Sequence, residues 1–468
     1  MDTTKRAGPN RHDIAEALRQ TASGSVHMAG EERYDAARQP WNTTINPSPA
    51  IVVEAIAPSD VRAAVRVAGE YGLRVAVQGT GHGADPADGA LMINTAGMNT
   101  VHVDASRRVA RVGAGATWGD VIGQAGRYGL APLSGSSPTV GVAGYTLGGG
   151  HGWLSRTYGF AADSLVRAHI VTSGGQLCTA DAENNPELHW ALRGGGGNFG
   201  VVTDMEVQLY PVSSVYGGML LFDSMPSTIA SYRDWALGQP DEMNTALMMM
   251  PIPDVQGVPE PIRGKRVLAL RVCYLGDAER AERLLSPLRD AAGPPLMGEL
   301  TDMSYTYLAR DMIDPPPPQS NRGHLAMYQQ LPDAAIEALN DAAGQPADTA
   351  DSPVKVVEIR HFGGAMARPS HHAGPVGGRD ASFCVLVSAP LDGLEQPQVN
   401  AVDTYMDALA GRLDRHATGG SFLSWLPHPS KIASAYSPDD YQQLQAVKAT
   451  YDPTNLFGYP NIAPTQES

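Results

Sequence analysis

Cysteine is scarce in this chain: Cys178, Cys273 and Cys384 are the three in 468 residues. Residues so far apart and odd in number supply neither a disulfide framework nor a zinc site of C-x-x-C type. Each reads as a core thiol. Basic residues are also in deficit, 34 against 49 acidic ones for a net charge of −15, which argues against nucleic acid or an anionic membrane surface as partner. No run of eighteen apolar residues occurs, and the opening MDTTKRAGPNRHD lacks the apolar core of a signal peptide. The expectation is a cytosolic protein, monomer or homodimer, whose partner is a small molecule. Internal repeats are absent as well.

Several familiar catalytic signatures are missing. There is no G-x-x-x-x-G-K-[ST] phosphate loop and no H-E-x-x-H helix, and Gly419-Gly420-Ser421-Phe422-Leu423 fails the G-x-S-x-G elbow at its last position. Hydrolase and NTPase readings lose their anchors. The pair His371-His372, ten residues after His361, does not make a metal site, because adjacent histidines on a strand point to opposite faces. No metal is expected.

Glycine, by contrast, is concentrated. The stretch Ser134 to Leu154, SGSSPTVGVAGYTLGGGHGWL, holds seven glycines in twenty-one residues, which frees the backbone for left-handed φ values and close approach to a ligand. Gly148, Gly149, Gly150 and Gly152 follow what reads as a β-rich run, and their amides are placed to form an anion-binding nest for a pyrophosphate. The spacing is not that of a dinucleotide-binding fingerprint: a G-x-G-x-x-G frame from Gly148 meets Trp153 at its last position, and one from Gly150 meets Ser155. A second cluster, Gln78-Gly79-Thr80-Gly81-His82-Gly83-Ala84, follows the strand candidate Leu73 to Val77. A third, WALRGGGGNFGVVT from Trp190 to Thr203, sets four consecutive glycines between a short helical segment and a β-branched strand. Three such turns within about 130 residues point to a long ligand that crosses several loops.

With TGHG around His82, SPTVGVAGYTLGGGHGWLSRTYG at 137–159, WALRGGGGNFGVVT, VEIRHFGGAMAR from Val357 to Arg368 and the ending YDPTNLFGYPNIAP from Tyr451 to Pro464, the chain resembles the FAD-linked oxidases of the vanillyl-alcohol oxidase superfamily, specifically the berberine bridge enzyme-like group with its PCMH-type FAD-binding domain. The motifs run in family order over nearly the whole chain. The resemblance implies an α+β protein: a two-part FAD-binding domain over residues 1–211, a substrate domain at 212–436 with an antiparallel sheet covered by helices, and a segment at 437–468 returning to the FAD-binding domain. It places His82 where the family joins histidine to the 8α carbon of the flavin. The second link, made in many members by a cysteine before Pro-Thr-Val, meets Ser137 here, so a single link is implied. Gln78 stands where the family usually has arginine. Beyond His82 and Gln78, the implied cofactor contacts are Gly79, Thr80, Gly81, Gly83 and Ala84, then Ser137, Pro138, Thr139, Val142, Gly144 and Tyr145, then Gly148, Gly149, Gly152 and Trp153. Gly200, Val201, Val202, Tyr459 and Asn461 complete them.

Periodicity gives the local organisation. A helix over Asp13 to Ala22 leads into strand IVVEAIA, a helix SDVRAAVRVAGEYG with Ser59 as N-cap, and strand LRVAVQ, ending at the His82 turn. A second unit, from about Leu91 to Pro211, alternates β-rich pieces (108–112, 169–172, 201–210) with glycine turns. Beyond Val212 the expectation is strands at 265–274 and 382–389 and a helix over 277–292, with Pro315 to Pro318 as a stiff connector. A last helix covers DDYQQLQAVKATYD.

Length and a 43% hydrophobic content allow a large core in two domains. Flavin oxidation leaves positioning and acid/base work to the protein. Glu358, in the strand Val354 to Phe362 among Val356, Val357, Ile359 and Phe362, is the leading base. Its apolar neighbours predict a buried setting that favours the protonated carboxyl. Tyr145 and His151 lie in the glycine segment itself. The family's Tyr-x-Asn motif, source of a phenolate base, reads Phe422-Leu423-Ser424, so Glu358 or a phenol such as Tyr305, Tyr307 or Tyr436 must act instead, Tyr436 being carried forward with Glu358 and Tyr145 as a catalytic candidate. Met248, Met249 and Met250 fit either an adaptable apolar pocket or a core strand. The expected substrate is a small, apolar natural-product intermediate, with O2 as electron acceptor. Two alternatives stay open: oxygen transfer to an enolisable polyketide, and a non-redox cyclase or binder that keeps flavin as a structural element.

Overall fold

The computed structural model describes residues 11–343, 352–426, 428–458 and 460–465. Its first sheet takes strands β1 (Ser25–His27), β2 (Ile51–Glu54), β3 (Val75–Gln78) and β4 (Leu91–Asn94) in the order β1-β2-β4-β3, with β2 and β3 both parallel to β4. Parallel neighbours need a crossover, supplied by helix Pro58–Tyr71, which buries Val61, Ala64, Val65 and Ala68. Its N-cap is Ala57 rather than Ser59: Pro58 fits the first turn, and the Asp60 carboxylate accepts from Ile56 N at 3.0 Å, Ala57 N at 3.2 Å and Ser23 N at 2.8 Å. A carboxylate three residues inside has taken over the capping that the serine was expected to do.

The second sheet contains β5 (Val101–Asp104), β6 (Val109–Gly113), β7 (Leu165–Val171), β8 (Leu177–Asp181) and β9 (Val201–Gln208), antiparallel in the order β5-β6-β9-β7-β8. The second unit therefore begins after Asn94 and not at Leu91, since β4 is the inner strand that joins β2 to β3. Cys178, in β8, is only half-buried, unlike Cys273 and Cys384, which fill core positions.

The third sheet is larger. Strands β10 (Ser214–Asp223), β11 (Met243–Pro251), β12 (Arg266–Tyr274), β13 (Met297–Ser304), β14 (Asn321–Tyr328), β15 (Val356–His361) and β16 (Phe383–Pro390) run antiparallel in the order β13-β10-β12-β11-β15-β16-β14. Helices Pro226–Ala236, Ala278–Ala292, Asp333–Ala342 and Gln396–Leu413 cover one face, and Ile229, Tyr232, Leu285, Leu339 and Leu409 share a core with Leu247, Leu270, Val357, Ile359 and Val385. Side chains alternate along a strand, so Ala246, Met248, Arg271, Glu358 and Arg360 fall on the opposite face. Pro315 to Pro318 hold no regular structure, as their fixed φ dictates.

The chain end closes back on the first sheet. Helix Pro438–Tyr451 carries Lys448, whose fully buried ammonium donates to Asp452 Oδ2 at 2.6 Å, Asn198 O at 2.8 Å and Phe457 O. Val75 N donates to Leu456 O at 2.9 Å. Among the described residues no helix is long and apolar enough to cross a membrane, and no cluster of metal-ligating side chains occurs. His371 and His372 are exposed.

Candidate active site

Glycine and its partners build one wall. Gly81 adopts φ +76°, and a Cβ there would lie 2.5 Å from Pro40 Cα, so the turn that presents His82 admits no side chain. Trp41 N donates to Thr80 O at 3.1 Å, and the Trp41 ring stacks on His82 with centroids 4.1 Å apart and planes at 17°. On the far side Thr80 Oγ1 accepts from Gly141 N at 3.2 Å. His82 Nε2 lies 3.1 Å from Thr139 Oγ1, itself 3.0 Å from Ser137 Oγ. Burial pushes the His82 imidazole down to about 4, partly offset by a hydrogen bond to the Thr139 backbone, so the ring is neutral at physiological pH.

Several expected contacts are placed otherwise. Val142–Leu147 is a helix and not a β-rich run, and the amides behind it are used internally. Gly148 N donates to Gly144 O at 3.1 Å, Gly149 N to Thr146 O at 3.2 Å and Gly152 N to Ser155 Oγ at 2.9 Å. The four-glycine nest is thus not formed as expected. Gly148, Gly149 and Gly152 are instead sites of tight packing: a Cβ on Gly152 would come within 1.7 Å of Ser134 O. Val142, Val201 and Val202 are buried, the last two in β9 against β7. Gly200, at φ +154°, is pressed against Val171 O. Pro138 packs beside Gly119, while Ala84 is buried and Asn461 exposed. Tyr459 lies outside the described residues.

The opposite wall is the uncovered face of the third sheet. Register sets Arg271 opposite Ala246 and Ala246 opposite Arg360, one row across β12, β11 and β15. Glu358 follows two residues before Arg360 on the same face. The small Ala246 between two arginines leaves room, and a partly open cleft lies there, about 330 Å³ free of atoms when the solvent at its mouth is counted in. From the sheet it is bounded by Asn244, Thr245, Ala246, Arg271, Glu358, Arg360 and His361, and from the glycine segment by Ser136, His151, Gly152 and Trp153. Glu358 is buried, as its neighbours predict, but its carboxylate is held between two arginines. Arg360 Nη2 donates to its Oε2 at 3.0 Å, and Arg271 Nη1 stands 3.8 Å from Oε1.

Each guanidinium also lies over an indole, Arg271 on Trp153 at 4.2 Å and Arg360 on Trp425 at 4.3 Å. Burial lowers Arg271 to about 10, which leaves it charged. Arg360 donates to Ser136 Oγ at 3.1 Å and faces His151 Nδ1 at 3.4 Å. His151 stacks on Phe362 at 4.3 Å, and burial together with Arg360 drives its pKa well below the ordinary histidine value.

The phenols are less suited to acid/base work. Tyr436 donates to Gly194 O at 3.1 Å and burial raises its pKa, so no phenolate forms near neutrality. Tyr305 is buried with its hydroxyl 3.1 Å from Ser134 Oγ and likewise shifted up. Tyr307 is half exposed. Tyr145 is pushed up by burial, and its hydroxyl has no protein partner. The methionines divide by alternation: Met249 enters the helix-side core, whereas Met248 turns to Arg271, whose Nη1 is 3.6 Å from Sδ. None of the three borders the cavity, whose lining carries the charged Arg271, Glu358 and Arg360.

Arg271, Arg360, Asn244, Thr245, Trp41 and Trp425 were not anticipated. Period-two alternation from Glu358 to Arg360, and the single arginine inside the apolar run VLALRVCY, are the signals that point to two of them.

These walls fit an FAD. Gly83, Gly144 and Gly197, one from each glycine cluster, are positions where an added Cβ would meet open space. Gln78 Oε1, Tyr145 OH and Trp153 Nε1 are buried without a protein partner, as groups turned toward a polar ligand would be. Residues 49–181 match the FAD binding domain family, and residues 432–461 match the family described as berberine and berberine like. The class is that of FAD-dependent oxidoreductases, enzymes with FAD as cofactor.

Within that class the chain carries the FAD binding domain and, near its end, the berberine and berberine like segment, and its fold is similar to that of BBE-like proteins. It is 28% identical over 453 residues to (R)-6-hydroxynicotine oxidase of Paenarthrobacter nicotinovorans, covering 93% of this chain and 95% of that one. It is 35% identical over 222 residues to the FAD-dependent monooxygenase FUP4 of Fusarium proliferatum, 47% of this chain and 42% of that one. In fold it is similar to BBE-like 1 of Physcomitrella patens, with a TM-score of 0.85, 21% identity and coverage of 97% and 100%.

Proposed function

We propose that this flavoenzyme holds its FAD through a single bond from His82 and oxidises a small natural-product intermediate in the cavity before Glu358. Residues 1–211 with 437–468 form the cofactor domain and 212–436 the substrate domain. The observation that carries this reading is Glu358 itself, a buried carboxylate on the sheet face opposite Ser136, His151 and Trp153. When bound, the flavin supplies the hydride acceptor, with O2 as the final oxidant.

The chain's own residues do the rest. Trp41 and Thr139 clamp the His82 ring from one face and one edge, and neutrality of the imidazole leaves it a nucleophile. Ser137, where many relatives of this group carry cysteine, offers no thiolate for a second bond. In the cavity Glu358 receives the proton that the substrate loses, held in place by Arg360. Trp153 and Trp425 cover the guanidinium faces and keep water from them.

A second reading is oxygen transfer to an enolisable substrate. It is favoured by the FAD-dependent monooxygenase FUP4 among the relatives and by two arginines able to stabilise an enolate. Labelled oxygen in the product, rather than bleaching of the flavin by substrate without oxygen, would select it.

The test of the first reading is acid precipitation of the purified protein. Yellow colour should stay with the wild-type pellet and leave that of His82→Ala. Colour released from the wild type, or retained by the variant, sinks the assignment.

A further inference from the structure

The cavity holds an imbalance of charge. The ionisable groups that face it from the sheet are Arg271, Glu358, Arg360 and His361, and from the glycine segment His151. Both histidines are driven well below their ordinary pKa by burial and by neighbouring arginines, Arg156 among them, so they are neutral. Two guanidinium cations thus face one carboxylate, and all three residues are buried. An uncompensated charge in such a place is costly unless something completes it.

The hydrogen-bonding pattern says where the completion belongs. Glu358 occupies Arg360 Nη2 and approaches Arg271 Nη1. The indoles of Trp153 and Trp425 cover the flat faces of the two cations. The Nε atoms of Arg271 and Arg360 are buried and have no acceptor among the described residues. Arg271 and Arg360 sit in one row with only Ala246 between them, so the gap is open to a planar acceptor. A guanidinium edge next to an apolar ring is suited to a carboxylate or phenolate carried on a flat organic body.

We propose that the substrate is an organic anion: Arg271 and Arg360 bind its carboxylate or phenolate oxygen, while an alcohol or amine carbon elsewhere on it gives up a C–H hydride to the flavin and Glu358 takes the O–H or N–H proton of that same group, leaving a carbonyl or imine. This rests on the reading of the cavity as the substrate chamber of a flavin oxidoreductase. It replaces the expectation of an apolar substrate.

The test uses the flavin-loaded protein and four probes: benzoate against benzamide, and acetate against acetamide. Binding is followed by calorimetry and by thermal shift, with the flavin absorbance read alongside. A charge-assisted hydrogen bond favours benzoate over benzamide by about tenfold or more, and Arg271→Met and Arg360→Met should each remove most of that preference. The wild-type comparison needs no variant to fold. Equal affinity for anion and amide overturns the proposal, as does a preference that survives both substitutions. So does a change of the flavin spectrum in the arginine variants with anion binding intact, which would assign the cations to the flavin ring. Protein that purifies without flavin would defeat the enzymatic reading instead, and the thermal shift with benzoate would still decide the anion site.

Discussion

The two sides of the candidate site are made by opposite means. On the glycine side the shape is a property of the backbone: Gly81 and Gly152 lie so close to Pro40 and Ser134 that no Cβ fits, and hydrogen bonds from Trp41 N and Gly141 N fix the loops. On the sheet side the backbone is a plain antiparallel ladder, and everything distinctive is carried by side chains on alternate positions of β11, β12 and β15. A wall built from backbone resists change. One built from side chains can be re-equipped at a single codon without disturbing the fold, and it is the wall that carries the substrate contacts proposed above.

If that division holds, substitutions on the sheet wall should alter chemistry while cofactor content stays fixed. The largest effect is expected of Glu358→Gln, which keeps the shape and removes the proton acceptor. Flavin reduction by substrate in the absence of oxygen should slow by about 10²- to 10⁴-fold, with covalent flavin unchanged. A stopped-flow rate equal to the wild type would show Glu358 to be only a counter-ion for its arginines.

The same division explains what can be read from the sequence. The glycine clusters are contiguous, so Gly81, His82 and the Ser134 to Leu154 stretch announce a ligand wall by composition and spacing alone. Even there the detail is hidden, because whether Gly148, Gly149 and Gly152 offer their amides outward depends on Val142–Leu147 being a helix. Short apolar runs do not settle helix against strand. The helix start at Ala57 is hidden for a similar reason, the capping carboxylate of Asp60 lying inside the helix. On the sheet wall Glu358 is legible through its motif and Arg360 through alternation from it, but their meeting with Arg271 is not. Arg271 lies 87 positions earlier in the chain, and no local pattern says that β11 will seat Ala246 between it and Arg360.

The walls are also tied to each other, and cutting the tie gives the next effect. Arg156, after the glycine segment, donates to Met243 O at 2.9 Å, Gln239 O at 3.0 Å, Pro240 O at 3.3 Å and Phe362 O, all on the sheet side. Arg156→Met leaves buried carbonyls unpaired and should cost about 3 kcal/mol, read as a lowered denaturation midpoint with no change in the slope. A midpoint equal to the wild type would mean that the two walls hold together by apolar packing alone.

A gentler probe is pH. Protein expressed without flavin carries a His82 whose folded pKa of about 4 lies below its unfolded value of 6.5. The unfolded chain therefore binds the proton more readily, and this contribution to stability is full above pH 6.5 and drains away as pH falls toward 4. His151 and His361 shift in the same direction, so His82→Ala should flatten the acid limb of the stability profile in part and not completely. An unchanged acid limb in that variant would show that His82 titrates normally and that its turn is open to water.

The smallest effect tests the boundary of the site. Tyr436, a candidate base by sequence, gives its hydroxyl to Gly194 O at 3.1 Å in the third glycine cluster, and its raised pKa denies it a phenolate at neutral pH. It belongs to the backbone-built wall as a prop. Tyr436→Phe removes one buried hydrogen bond and nothing from the cavity, so stability should fall by about 1 kcal/mol and the rate of flavin reduction should hold. A loss of rate with stability intact would carry the chemistry across the boundary, from the sheet wall into the glycine wall, and the division of labour between them would fail at that residue.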